Sequence, residues 1–319
     1  MKRNIKIGSI LIMCIAFQFL GNTRSMAQDE PAKLAPEAVK NTFENGIVIN
    51  NETIEVISPK SIDAVIEHRF GSIVDADGKL DGENLLGIYS PSNIRLGVSY
   101  GVIKNLNVGV GATKLKHIYD VWGKYKLLQQ KTEGMPISLA YFGDIAMNSS
   151  KGETMKSNDG KIKFSNRLSY FNELMVAYKY NTQISVQLSA SYTHFNLIDS
   201  VNFRGLKHDA LAVAFVGKYK FSPQSSVLLQ FNMPLTTHNF TTVNTVTTGN
   251  STAVSTTKGV LPKPDLGIGF EVSTGSHQFQ IFICTADHII MQERELFNSN
   301  DFSQKQMVIG FNITRQWGF

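Results

Sequence analysis

The chain has 319 residues, of which 42% are hydrophobic and 18% charged, and its formal net charge is +5. Four of its 31 basic residues (Lys2, Arg3, Lys6 and Arg24) and none of its 26 acidic ones precede residue 28, which leaves 27 basic side chains beside 26 acidic ones. A near-neutral remainder speaks against a nucleic-acid partner, and two cysteines, Cys14 and Cys284, rule out a disulfide scaffold.

Lys2, Arg3 and Lys6 stand before an apolar run from Ile7 to Leu20, and Ser25-Met26-Ala27 offers the small residues a signal peptidase needs. This predicts a signal peptide over residues 1–27, cleaved before Gln28. Its apolar run is too short to span a bilayer, and no later run approaches the roughly 18 residues of a membrane helix. An exported chain of this kind that enters a membrane must do so as a closed β-barrel. Residues 28–60 hold three prolines, three lysines and six carboxylates (Asp29, Glu30, Glu37, Glu44, Glu52, Glu55). They read as a periplasmic extension with a short helix around Pro36–Thr42, able to pack under or into such a barrel.

From residue 61 to 319, segments of alternating character recur. In 93–102, Ile94, Leu96, Val98, Tyr100 and Val102 share one face, with Arg95, Gly97, Ser99 and Gly101 on the other. Segments 168–180, 183–192 and 208–221 alternate in the same way. Similar runs lie near 61–71, 106–113, 118–128, 137–147, 225–234, 265–273, 277–287 and 305–319. Period 2 over about ten residues is the pattern of a strand with one apolar and one wet face, and about twelve such strands predict an all-β, antiparallel, up-and-down transmembrane barrel. A soluble β-sandwich is the alternative.

Short links near 103–105, 129–136, 181–182, 222–224 and 274–276 alternate with longer ones near 72–91, 148–166, 196–207, 235–264 and 289–304, with a short exception at 114–116. Outer-membrane barrels have short periplasmic turns and long outer loops. The threonine-rich stretch 236–258 carries no apolar period and reads as a mobile surface loop. The last segment puts Met307, Ile309, Phe311, Ile313, Trp317 and Phe319 on one face, as in the closing strand of such a barrel.

Three repeats carry the notable charge: Gly123-Lys124-Tyr125-Lys126, Tyr178-Lys179-Tyr180 and Gly217-Lys218-Tyr219-Lys220. The tyrosines share the apolar phase and, with Tyr100, Phe221, Trp317 and Phe319, predict an aromatic girdle at the periplasmic mouth (Tyr100, Tyr125, Tyr178, Tyr180, Tyr219, Phe221, Trp317, Phe319). Lys124, Lys126, Lys179, Lys218 and Lys220 share the lumen phase. They either bias the mouth toward anions or pair with lumen carboxylates such as Asp120, Asp144 and Glu173, or with the acidic extension. Trp122, Phe142, Phe171, Met175 and Phe282 also fall in the lumen phase and argue against a wide pore.

No catalytic residues, cofactor or metal site are expected. Asp75-Ala76-Asp77-Gly78 fails the spacing of a calcium loop, with Lys79 and Leu86 at ligand positions, and reads as a polar turn. His194 and His208 flank one long link, but their phases place them on opposite faces.

Asn45 to Ile57 (NGIVINNETIEVI), His68-Arg69-Phe70-Gly71, Ile94-Arg95-Leu96-Gly97, Val108-Gly109-Val110-Gly111 and Tyr125-Lys126-Leu127-Leu128 together resemble an uncharacterised family of bacterial outer-membrane β-barrels, a domain of unknown function. The resemblance implies location in the outer membrane of a Gram-negative cell, contact with outer-membrane lipid and handling by the barrel insertion machinery. It carries no functional residues. The expected function is a narrow porin-like channel for small solutes. The alternatives are a non-conducting scaffold for periplasmic or surface partners (lipid-binding or electron-transfer proteins among them) and an outer-membrane hydrolase.

Overall fold

The computed structural model describes residues 36–75, 77–150, 162–199, 203–248 and 251–318, and of 242–248, 251–255 and 257 the backbone alone. The signal peptide, residues 28–35 of the extension and Phe319 lie outside the described residues.

A two-residue-per-strand hairpin comes first, β1 (Ile47–Val48) and β2 (Asn51–Glu52). There follow β3 (Ser61–Ser72), β4 (Asn93–Ile103), β5 (Leu106–Thr113), β6 (Ile118–Leu128), β7 (Ser138–Asn148) and β8 (Leu168–Lys179). Next come β9 (Ile184–Phe195), β10 (Asp209–Lys220), β11 (Ser225–Pro234), the pair β12 (His238–Thr248) and β13 (Ser251–Leu261), then β14 (Asp265–Thr274) and β15 (His277–Cys284). The helix α1 (Met291–Phe297) precedes the last strand, β16 (Val308–Gly318).

Twelve of these strands close into one antiparallel barrel: β3 to β11 in order, then β14, β15 and β16, with β16 pairing back onto β3 through Ile313↔Ile66 and Trp317↔Ile62. Closure satisfies every strand edge, which is what lets a sheet sit in lipid. Side chains sort by parity. On β15, Gln278, Gln280 and Phe282 point in and are buried, whereas Phe279, Ile281 and Ile283 face out. The outer wall exposes Leu96, Val110, Val121, Leu188, Ile268 and Ile281, an apolar band that water would penalise and hydrocarbon does not. Tyr100, Tyr125, Tyr178, Tyr180, Tyr219, Phe221 and Trp317 all lie exposed at the short-turn end of that band. No helix among the described residues is long and apolar enough to cross a membrane.

Two expectations about the connecting segments need correction, and one long link holds an element that the alternation did not mark. The stretch 236–258 is not an open loop. β12 and β13 pair from His238↔Leu261 to Thr248↔Ser251, forming a ribbon outside the barrel sheet. Threonine and valine favour extended backbone through their branched Cβ, and the base of the ribbon is tied down where Leu261 and Phe240 join Phe203 and Phe297 in an apolar cluster. No helix forms around Pro36–Thr42: Ala38 bridges Lys131 and the Val39 amide donates to the Gln130 carbonyl at 2.8 Å, so the 129–137 link takes this backbone as an extended partner. The long link before β16, conversely, contains α1, whose seven residues are all buried against β8, β9 and β10, across the lumen from where the link begins.

Candidate functional site: the filled lumen

Residues 41–57 enter the barrel and leave it by the same mouth. On the way in, Val39 is held by Gln130; on the way out, the Lys60 amide donates to the Gly101 carbonyl at 2.8 Å. Both contacts are at the short-turn end. Between them the β1–β2 hairpin reaches the middle of the lumen, turning at Ile49-Asn50. Ile49 has φ +55, a conformation costly for a β-branched residue, which persists only where its surroundings fix it.

The wall provides that fixing. A hairpin of two-residue strands leaves most of its amides and carbonyls unpaired, and buried backbone groups need partners. Wall amide side chains supply them. Gln280 accepts from the Ile49 amide (3.1 Å) and donates to the Ile47 carbonyl (2.9 Å), and Gln230 accepts from the Asn50 amide (2.9 Å). Gln187 accepts from the Ile54 amide (2.9 Å) and donates to the Glu52 carbonyl (2.8 Å), and Asn312 donates to the Ile49 carbonyl (2.8 Å). Arg69, fully buried, closes the tip: Nε and Nη2 donate to Asn50 Oδ1 (3.0 and 2.7 Å) and Nη2 to the Ile49 carbonyl (3.0 Å). None of these anchors was singled out from sequence. Their only signal is shared inward parity on separate strands.

Apolar contacts complete the seat. Phe43, Val48, Ile49 and Ile54 of the inserted segment cluster with Phe142, Phe171, Met175 and Phe282 of the wall, with Trp122 packed alongside. The lumen-phase aromatics thus grip a plug. Gly109 makes room for this packing, because a Cβ there would meet the Trp122 ring at 2.3 Å. From the other end, Arg294 of α1 donates to the Asn50 carbonyl, so the two insertions meet in mid-lumen.

The five lumen-phase lysines are engaged by this segment rather than by wall carboxylates. Lys124 pairs with Glu52 at 2.5 Å and donates to the carbonyls of Gly46 and Glu55; Lys126 pairs with Glu55 at 3.2 Å. Lys218 and Lys220 share Glu44 Oε1, at 3.3 and 2.7 Å, and Lys179 donates to the carbonyls of Lys40 and Asn41. Asp120 instead takes a two-pronged bond from Arg95 (3.0 and 2.5 Å), whose third arm reaches Glu67 at 2.7 Å.

Glu44 makes the seat sensitive to acid. Burial alone would push its carboxyl up, but the hydrogen bond from Lys220 and the charges of Lys218 and Lys220 outweigh it and hold it below the ordinary value of 4.5. Lys40, Lys179 and Glu271 are the next charged groups around it. A carboxyl held low stabilises the plugged state above its unfolded-state pKa and loses that contribution as pH falls through its lower folded value. Trp122 emission, read in a Trp317→Phe background, should therefore shift as the plug loosens below about pH 4.5. Glu44→Gln should leave a shallower acid dependence, and an unchanged slope would contradict the assignment.

His194 and His208, expected on opposite faces, instead come together, their rings stacked 6.2 Å apart; the His208 Nδ1 turns to the Phe195 carbonyl at 2.6 Å. Asp209 Oδ1 accepts from Tyr192 Oη (2.6 Å) and lies 2.8 Å from His194 Nδ1. Among the described residues no three His, Cys, Asp or Glu side chains converge as a metal site. Asp75 caps a turn, its Oδ1 accepting the amides of Asp77 and Lys79.

A family model described as a membrane bound beta barrel domain (DUF5777) matches residues 43–317. Solved structures similar to the chain include a KdgM porin, at 10% identity over 81% of this chain and 99% of that one, with a TM-score of 0.42. A NanC porin is similar at 9% identity over 81% and 100%, with a TM-score of 0.44. An outer membrane channel from Pseudomonas putida F1 is similar at 7% identity over 82% and 97%, also with a TM-score of 0.44. No curated protein matches the chain.

Proposed function

The chain belongs to the membrane bound beta barrel domain family, DUF5777, over residues 43–317, and from that premise we propose that it is an outer-membrane channel for small solutes held shut by its own residues 41–57. One observation carries the reading: the plug loops in and out through a single mouth, so it can withdraw without unthreading and without breaking any wall strand pair. The wall it would uncover is polar and charged (Glu67, Arg69, Arg95, Asp120, Lys124, Glu173). Buried ion pairs are often no more stabilising than apolar packing of the same volume, whereas a path for hydrated solutes needs such groups.

Planar-bilayer recording tests this. The full chain should hold a closed baseline. A variant lacking residues 41–57, alone or with α1 replaced by a Gly-Ser loop, should give conductance steps at least tenfold larger. If both variants fold, by the faster gel mobility of the unboiled protein, and neither conducts, the channel reading fails. A second reading, a non-conducting membrane platform for periplasmic or surface partners, is favoured by the filled lumen itself and would then stand in its place.

A further inference from the structure

Where the plug meets the wall, a cleft of about 510 Å³ remains at the short-turn mouth, lined by Lys40 and Glu44 of the inserted segment and by Lys179, Lys218 and Lys220 of the wall. Its charge does not balance. Lys40, Lys179, Lys218 and Lys220 stand against two carboxylates, Glu44 and the neighbouring Glu271; Lys218 and Lys220 share one oxygen of Glu44, and Lys179 faces only two neutral carbonyls. Strand register places Lys179 and Lys218 on either side of Ser185, two interstrand spacings apart, or about 10 Å. Behind the residues that line the cleft, the Ser185 hydroxyl between these two lysines is buried with no hydrogen-bond partner among the described residues, a state that ordinarily needs an explanation. An acceptor-rich anion lying across β8, β9 and β10 would satisfy both anomalies at once: it would receive the hydroxyl proton and balance the surplus ammonium charge.

The geometry points to a binding site here for a small organic anion carrying two or more carboxylate or phosphate groups. The inference deepens the channel reading by naming the class of solute, and it rests on that reading only for the solute's passage, not for its binding. Glu44 occupies part of the site as an internal competitor. Removing its charge should therefore strengthen ligand binding even as it weakens the plug.

Titration calorimetry on the full chain in phospholipid-free detergent, with citrate as probe, tests the site without any current being measured. The wild type should bind citrate saturably, with affinity falling as salt rises. The half-buried pair K179Q/K220Q, checked for folding by unboiled gel mobility, should lose at least tenfold in affinity, and E44Q should gain. Ser185→Ala should weaken citrate several-fold while leaving the unliganded protein's heat stability unchanged, an effect that a purely structural hydroxyl would not give. No saturable binding by wild type and E44Q, or affinity unaltered in K179Q/K220Q, overturns the inference. Citrate binding by a barrel that never conducts would instead leave the site standing and remove the channel.

Discussion

Replacing Arg69 by alanine should release the plug while leaving the barrel intact. The side chain is fully buried, stacks its guanidinium 4.5 Å from the centre of the Phe282 ring, and spends its donors on Asn50, the Ile49 carbonyl and Asn312 Oδ1. Truncation takes from Asn50 Oδ1 both bonds it receives from this residue and leaves the Ile49 carbonyl with the bond from Asn312 alone. Breaking a buried charged network of this kind costs about 3–5 kcal/mol. Glu67, 3.7 Å from Arg69 Nη2, is cushioned because Arg95 still holds it at 2.7 Å. The loss therefore falls on the plug tip, where the φ of Ile49 is already unfavourable.

A Glu-specific protease reads the outcome, since Glu44, Glu52 and Glu55 all lie in the plug and are shielded or paired there. If opening precedes cleavage, a change of that size accelerates cutting by a hundredfold or more. Arg69→Lys should fall between, because it keeps the charge but not the planar fork. The unboiled protein should still migrate as a closed barrel in every case. Unchanged protection in the alanine variant would mean that the wall amides alone seat the plug.

The contrast between plug and wall is also the contrast between what could and could not be read from sequence. The barrel strands were legible because inward and outward sets alternate residue by residue, a signal contained within each ten-residue window; β6 and β11 begin and end where their alternation does. The plug was not, because its partners are distant side chains. Gln187 lies 133 residues from the Ile54 amide it accepts, and Gln280 lies 231 from that of Ile49. No local pattern marks those glutamines apart from other lumen-phase polar residues. The lysines fall between the two cases. Their phase and mouth followed from the strand register, while the choice between an anion-selective ring and pairing with the acidic extension depended on where Glu44, Glu52 and Glu55 come to rest. α1 was missed because a seven-residue helix shows too few turns for an apolar period, and its burial comes from crossing the lumen.

The other large effect lies one residue along β9 from a plug anchor. Gln187 points inward to the Ile54 amide and Leu188 points outward, 62% exposed. Leu188 sits between the level of Tyr178, which pairs beside Val186, and that of Tyr192, so it belongs to the middle of the apolar band. An arginine on the lipid face of a barrel costs about 2–4 kcal/mol at the bilayer midplane and falls toward zero near the interfaces. Leu188→Arg should thus lower the urea midpoint of the lipid-inserted protein and slow its folding into vesicles, while the plug stays protected from the Glu-specific protease. Gln187→Leu should do the reverse, with insertion unaffected and the plug exposed to cleavage, because the Ile54 amide and Glu52 carbonyl lose their partners. Ile184→Arg, nearer the short-turn mouth, should be tolerated better than Leu188→Arg if depth in the membrane is what matters. Equal penalties at both positions would show that the outward face of β9 packs against protein rather than lipid.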